Sequence, residues 1–129
     1  MEKIRILVVE DDTDLRETIC MALNEHSYVT SEAADGIEAF NLLYAPGPKP
    51  DLILLDVMMP RMDGMAFLAG IRQSEMCNIP IILMTAANEK TIKISSSARN
   101  LTPILPDERL AKPINFETLF GTIVRILAK

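Results

Sequence analysis

A chain of 129 residues suits one compact domain with a proper core, and a hydrophobic share of 49% excludes a disordered tail. The formal net charge of −5 argues against a nucleic-acid surface, which needs clustered lysine and arginine. The apolar runs are far too short to cross a bilayer, "MEKIRILVVE" is not a signal peptide, and a lone histidine, His26, speaks against a histidine metal site or a Ser-His triad.

Strand-like apolar runs alternate with stretches of helical period. "IRILVV" (4–9) is the first strand, and Leu15, Ile19 and Leu23 then recur at helical spacing. Cys20 is placed on a helix face, and with Cys77 it is read as a reduced thiol, since the two lie far apart without metal-ligand spacing. A weaker strand is expected near Tyr28–Glu32. Asp35 with Glu38 three residues on resembles a capping box, and Ile37, Phe40, Leu43 and Tyr44 give a second helix. "PGPKP" (46–50) stops it as a rigid loop. "DLILL" (51–55) is the third strand, Asp63 caps a third helix carrying Met65, Leu68 and Ile71, and "IPIILM" (79–84) is the fourth strand. Leu110-Ala111 is a remnant of a fifth strand. Asn115 caps the last helix, whose apolar stripe of Phe116, Leu119, Phe120, Ile123, Val124 and Leu127 is read as core.

Strands separated by helices imply right-handed βαβ units and a parallel sheet, buried on both faces where its strands are continuously apolar. The expected fold is therefore a doubly wound five-stranded α/β domain spanning residues 1–129, with no internal repeat or interdomain linker.

Binding sites of such sheets lie outside the carboxyl ends of the strands. There the first strand ends in Glu10, Asp11 and Asp12, the third in Asp56 and the fourth in Thr85, while Lys112 precedes the last helix. An ionised carboxyl at the rim of an apolar core is costly unless paired or metal-bound. Asp56 is the sharpest case, because four apolar residues lead directly into it. Each residue also has a plain reading: one of Asp11 and Asp12 caps the first helix, Thr85 is a strand-end hydroxyl, Lys112 a solvated charge. Their convergence on one edge favours phosphoryl transfer, in which carboxylates hold a hard cation such as Mg²⁺ and one attacks phosphorus. A lysine and a hydroxyl stabilise the charge on the phosphoryl oxygens.

"ILVVEDD", "LLDVMMPRMDG", "PIILMTA" and "AKP" resemble, in order, the four signature segments of the receiver domain of two-component response regulators, particularly single-domain chemotaxis-type regulators. The resemblance covers the whole chain and implies a flavodoxin-like (βα)5 fold with strand order 2-1-3-4-5. It implies Asp56 as phosphoacceptor, Glu10 and Asp11 as the acidic Mg²⁺ pair, and the backbone carbonyl of Met58 as a further metal ligand. It also implies Thr85 as the switch hydroxyl and Lys112 as the lysine that pairs with the phosphoryl group. A sensor histidine kinase, a phosphotransfer protein or a small phosphodonor would supply that group, in the cytoplasm. Nothing follows the last helix, so output through a downstream protein partner is expected, with no nucleic acid or membrane involved.

Two features depart from the family pattern. Arg109 stands three positions before Lys112, where receivers usually carry an aromatic switch residue. The interval from Thr85 to Lys112 is several residues too long, and its Ser95-Ser96-Ser97 run, Pro103 and Pro106 disfavour a regular helix where the family has its fourth. An irregular element is expected there. These departures motivate an alternative, a receiver-fold binding module whose output face no longer responds to phosphorylation. A phosphohydrolase acting on outside substrates is disfavoured, because Asp56 has no D-x-D partner and no glycine-rich phosphate loop is present.

Overall fold

Alternating burial organises the molecule. In a computed structural model describing residues 3–57, 64–86 and 106–128, five strands form one parallel sheet: β1 (Arg5–Val9), β2 (Val29–Ala33), β3 (Leu52–Asp56), β4 (Ile81–Ala86) and β5 (Glu108–Lys112). Their order is β2-β1-β3-β4-β5, as expected. Helices α1 (Thr13–Glu25), α2 (Gly36–Tyr44), α3 (Gly64–Arg72) and α4 (Phe116–Leu127) complete the described elements.

Successive strand residues point to opposite faces. Leu7, Val9, Ile53, Leu55 and Leu83 therefore share one core with Ala39 and Leu43 of α2 and Phe67, Leu68 and Ile71 of α3. Ile6, Val8, Leu52, Leu54, Ile82 and Met84 meet Ile19, Cys20 and Leu23 of α1 and Leu119 and Ile123 of α4 on the other face. Burial on both faces is why β1, β3 and β4 read as continuously apolar. The edge strand β5 is polar, with alternating half-buried and exposed residues, and extends on both sides of the Leu110-Ala111 remnant. An edge strand carrying charge resists pairing with another chain.

The caps form as the sequence indicates. Asp12, not Asp11, caps α1, accepting from the Leu15 N–H at 3.1 Å. Asp35 accepts from the Glu38 N–H at 2.9 Å, while Glu38 reaches back to the N–H of Ala34 at 3.0 Å. Asn115 accepts from the Thr118 N–H at 3.0 Å. The Asp63 cap and the irregular element around Ser95–Ser97 and Pro103 lie outside the described residues.

Three side chains assigned to helix stripes face solvent instead: Ile37 and Tyr44 on α2 and Val124 on α4. Each lies at the margin of its stripe, where the face turned to the sheet is narrower than the run of apolar residues. His26 stacks on Phe120 with ring centroids 3.7 Å apart, an ordinary packing role. Cys20 is buried, which pushes its thiol up to about 11, whereas Cys77 is exposed. Alkylation of the native protein near pH 8 is thus expected to modify Cys77 and spare Cys20, since only a thiolate within reach reacts. Peptide mapping checks this, and equal labelling would show that the α1 face opens readily.

Candidate functional site

The parallel register brings the strand ends level. Val9 pairs with Leu55 and Asp56 with Met84, while Thr85 lies opposite Ala111 and Ala86 opposite Lys112. Glu10, Asp56, Thr85 and Lys112 therefore gather at one carboxyl edge. Glu10 is fully buried, Asp56 is 4% exposed and Thr85 is 8% exposed, whereas Asp11 beside them is exposed. Because Asp12 serves as the α1 cap, Asp11 is left available to the pocket. The Lys112-Pro113 peptide is cis.

Ligand oxygens of Glu10, Asp11 and Asp56 lie within 4.8 Å of one another. Lys112 Nζ stands 2.9 Å from Glu10 Oε1 and 3.1 Å from Asp56 Oδ1. It donates a hydrogen bond to Asp56. Glu10 Oε1 is in ion-pair range but is left without a hydrogen-bond donor of acceptable geometry. The other Glu10 oxygen accepts from the Asp12 N–H at 3.2 Å.

Burial sets the electrostatics. It raises Glu10 to about 7, with the Lys112 contact opposing and the Asp56 charge reinforcing the shift. Burial also raises Asp56, with Glu10 and Lys112 offsetting only part of the effect. For Lys112, burial works against its charge, but the contacts to Glu10 and Asp56 outweigh it and its pKa rises. Three carboxylates facing one ammonium leave an excess of negative charge when all are ionised. An all-oxygen set of three clustered carboxylates, two of them buried, fits a hard divalent cation, which takes one or two carboxylates and keeps its remaining waters.

Four of the expected site residues, Glu10, Asp11, Asp56 and Lys112, are therefore in contact or close range, and Thr85 is placed on the same edge. Met58 lies outside the described residues. Arg109, at the usual aromatic position, is exposed on β5. Two contributors were not read from the sequence. Gly64, at the start of α3, donates its N–H to Val57 O at 2.8 Å. A Cβ at Gly64 would lie 2.3 Å from Asp56 O and 2.7 Å from Val57 Cα, so only glycine permits this approach. Arg16 on α1 donates to the carbonyl of Glu10 at 2.7 Å. The glycine belongs to the "MDG" motif, but its contact with Asp56 has no local signal. One arginine on a polar helix face carries none either.

This chain belongs to the response regulator receiver domain family, whose model matches residues 6–123. Response regulator MprA of Mycobacterium sp. (strain KMS) is 32% identical over 126 residues, covering 98% of this chain and 51% of MprA. The chain spans about half the length of the curated relatives it matches. A putative response regulator from Chloroflexus aurantiacus superposes with a TM-score of 0.86 at 28% identity, covering 99% of this chain and all of that one. Response regulator TrrA from Thermotoga maritima, crystallised in complex with Mg²⁺-BeF, gives a TM-score of 0.78 at 31% identity and covers 95% of this chain and 97% of its own. Receiver domains are regulatory modules of two-component signalling, and the acidic pocket at the strand ends is consistent with that role. Among the described residues no helix is long and apolar enough to cross a membrane.

Proposed function

We propose that this domain accepts a phosphoryl group on Asp56 in a Mg²⁺-dependent reaction and signals through a protein partner. The observation that carries this reading is the buried Asp56 carboxylate, hydrogen-bonded to Lys112 with two further carboxylates within 4.8 Å. Glu10, Asp11 and Asp56 would hold the cation, joined by the Met58 carbonyl as the family resemblance implies. Bound Mg²⁺ would neutralise charge on the carboxylates and on the phosphoryl oxygens.

This chain's own residues supply the rest. An Asp56 carboxylate oxygen contributes the electron pair that forms the new O–P bond. The bond from phosphorus to the donor breaks, and its electron pair leaves with the donor. Lys112, already oriented by Glu10 and Asp56, is placed to pair with a phosphoryl oxygen. Thr85 offers a hydroxyl from the adjacent strand end. The catalysis is confined to the domain's own phosphorylation and dephosphorylation. A sensor histidine kinase or phosphotransfer protein would be the donor, and a cytoplasmic protein the target.

Arg109 favours a second reading of the output alone. An exposed guanidinium cannot move between buried and exposed positions as an aromatic ring does, so the link from Thr85 to the β5 face is altered. In that reading the pocket is phosphorylated without a change at β5.

Intact-mass measurement with Mg²⁺ and a small acyl phosphate tests the main reading. Wild type is expected to gain one phosphoryl mass, and neither Asp56→Asn nor wild type with the cation chelated is expected to gain any. Labelling of Asp56→Asn would overturn the assignment. Amide shifts along β5 with and without a phosphoryl mimic then separate the two forms of output.

A further inference from the structure

Glu10 and Asp11 are adjacent in sequence, yet both reach Asp56. On an extended strand successive side chains point to opposite faces, so two neighbouring carboxylates enter one pocket only if the chain turns at the peptide between them. Several contacts surround that turn. The Glu10 N–H donates to Ala33 O at 3.0 Å, continuing the β1–β2 ladder by one residue. The Glu10 carbonyl then leaves the ladder and accepts from Arg16 Nη1 at 2.7 Å. Arg16 Nε is tied at 3.0 Å to Glu32 Oε1 on β2, and its side chain is only 15% exposed. Its own N–H donates to Asp12 O at 2.9 Å in the first turn of α1.

We propose that Arg16 is a positioning residue which holds the Glu10–Asp11 peptide turned, so that both carboxylates serve one cation site. The proposal rests on the reading of the pocket as a Mg²⁺ site. Arg16 touches neither the cation nor Asp56; it acts through the Glu10 carbonyl, with Glu32 fixing the guanidinium. A charged planar donor suits this task, because one face of the fork holds the carbonyl while another edge holds the carboxylate.

The sign of the effect separates positioning from simple electrostatics. Removing a positive charge beside an acidic pocket should, by Coulomb's law alone, tighten the binding of a divalent cation. Loss of an outer partner that orients the ligands should weaken it, typically by 10–100-fold. Calorimetric titration of the full chain with MgCl₂ is the measurement, with melting temperature followed in parallel. Arg16→Met is expected to bind Mg²⁺ about tenfold more weakly than wild type. Arg16→Lys should recover part of the loss, since an ammonium can donate to the same carbonyl. Glu32→Gln, which keeps the arginine but loosens its anchor, should fall between wild type and Arg16→Met. Unchanged or tighter binding by Arg16→Met overturns the proposal and leaves the cation site standing. Wild type that binds no Mg²⁺ overturns both. If Arg16→Met does not fold, Arg16→Lys decides, because it keeps the charge and changes only the donor geometry, and wild-type affinity in that variant overturns the positioning role.

Discussion

Lys112→Met is expected to destabilise the cation-free protein by about 3 kcal/mol near neutral pH, with the loss shrinking in acid. Lys112 is the ammonium that faces both buried carboxylates, and removing one partner of a buried ionic cluster leaves the other charges uncompensated. In the variant the carboxyls of Glu10 and Asp56 escape that cost only by keeping their protons. Glu10 already titrates at about 7 in the folded protein, against 4.5 as its ordinary value, despite the lysine. Between those limits the folded state holds more protons than the unfolded one, so stability falls as pH rises. Wild type without cation should show that fall across pH 4.5 to 7. In Lys112→Met the fall should be steeper and extend higher, because the cation that opposes the shift has gone. Urea unfolding at a series of pH values measures both curves. A constant difference between the two proteins across the acid range would contradict the electrostatic account and leave only a packing role for the lysine.

Gly64→Ala should be comparably damaging for a different reason. The methyl group would be forced within 2.3 Å of Asp56 O and 2.7 Å of Val57 Cα, and both neighbours are backbone atoms that cannot rotate away. Overpacking of this kind typically costs about 1–3 kcal/mol, and the rigid neighbours place this site at the upper end. Relief would come from α3 moving off β3, which would break the Gly64 N–H to Val57 O bond and shift the Asp56 backbone. Weaker Mg²⁺ binding should therefore accompany the lost stability. Gly121 provides the contrast. It lies inside α4 with nothing within 4 Å of a Cβ, so Gly121→Ala is expected to stabilise the protein by up to about 1 kcal/mol. Similar effects of the two substitutions in urea melts would argue against a close approach at Gly64.

Much of this arrangement is legible in the sequence because local chemistry and tertiary role coincide. Continuous apolar runs mark β1, β3 and β4 since both faces of the central sheet are covered. Asp12, Asp35 and Asn115 announce their helices because a cap is a local hydrogen bond. Asp56 stands out because an acid directly after four apolar residues is costly at the rim of a core unless it is paired or metal-bound. What escapes the sequence is set by contacts across the fold. β5 lacks an apolar run because an edge strand is only partly covered, so just Leu110-Ala111 hinted at it. Tyr44 and Val124 fit a helical stripe yet face solvent, since period alone does not fix the width of the buried face. Arg16 and Gly64 matter through a carbonyl and a backbone approach, neither of which any spacing encodes.

The central claim is that Asp56, and not another member of the acidic cluster, receives the phosphoryl group. Borohydride reduction of the phosphorylated protein converts an acyl phosphate to an alcohol, and peptide sequencing by mass spectrometry then locates the modified residue. The account predicts homoserine at position 56 alone, dependent on both Mg²⁺ and the phosphodonor. Reduction at Glu10 or Asp11, or a phosphoryl mass gain with position 56 unmodified, would contradict it.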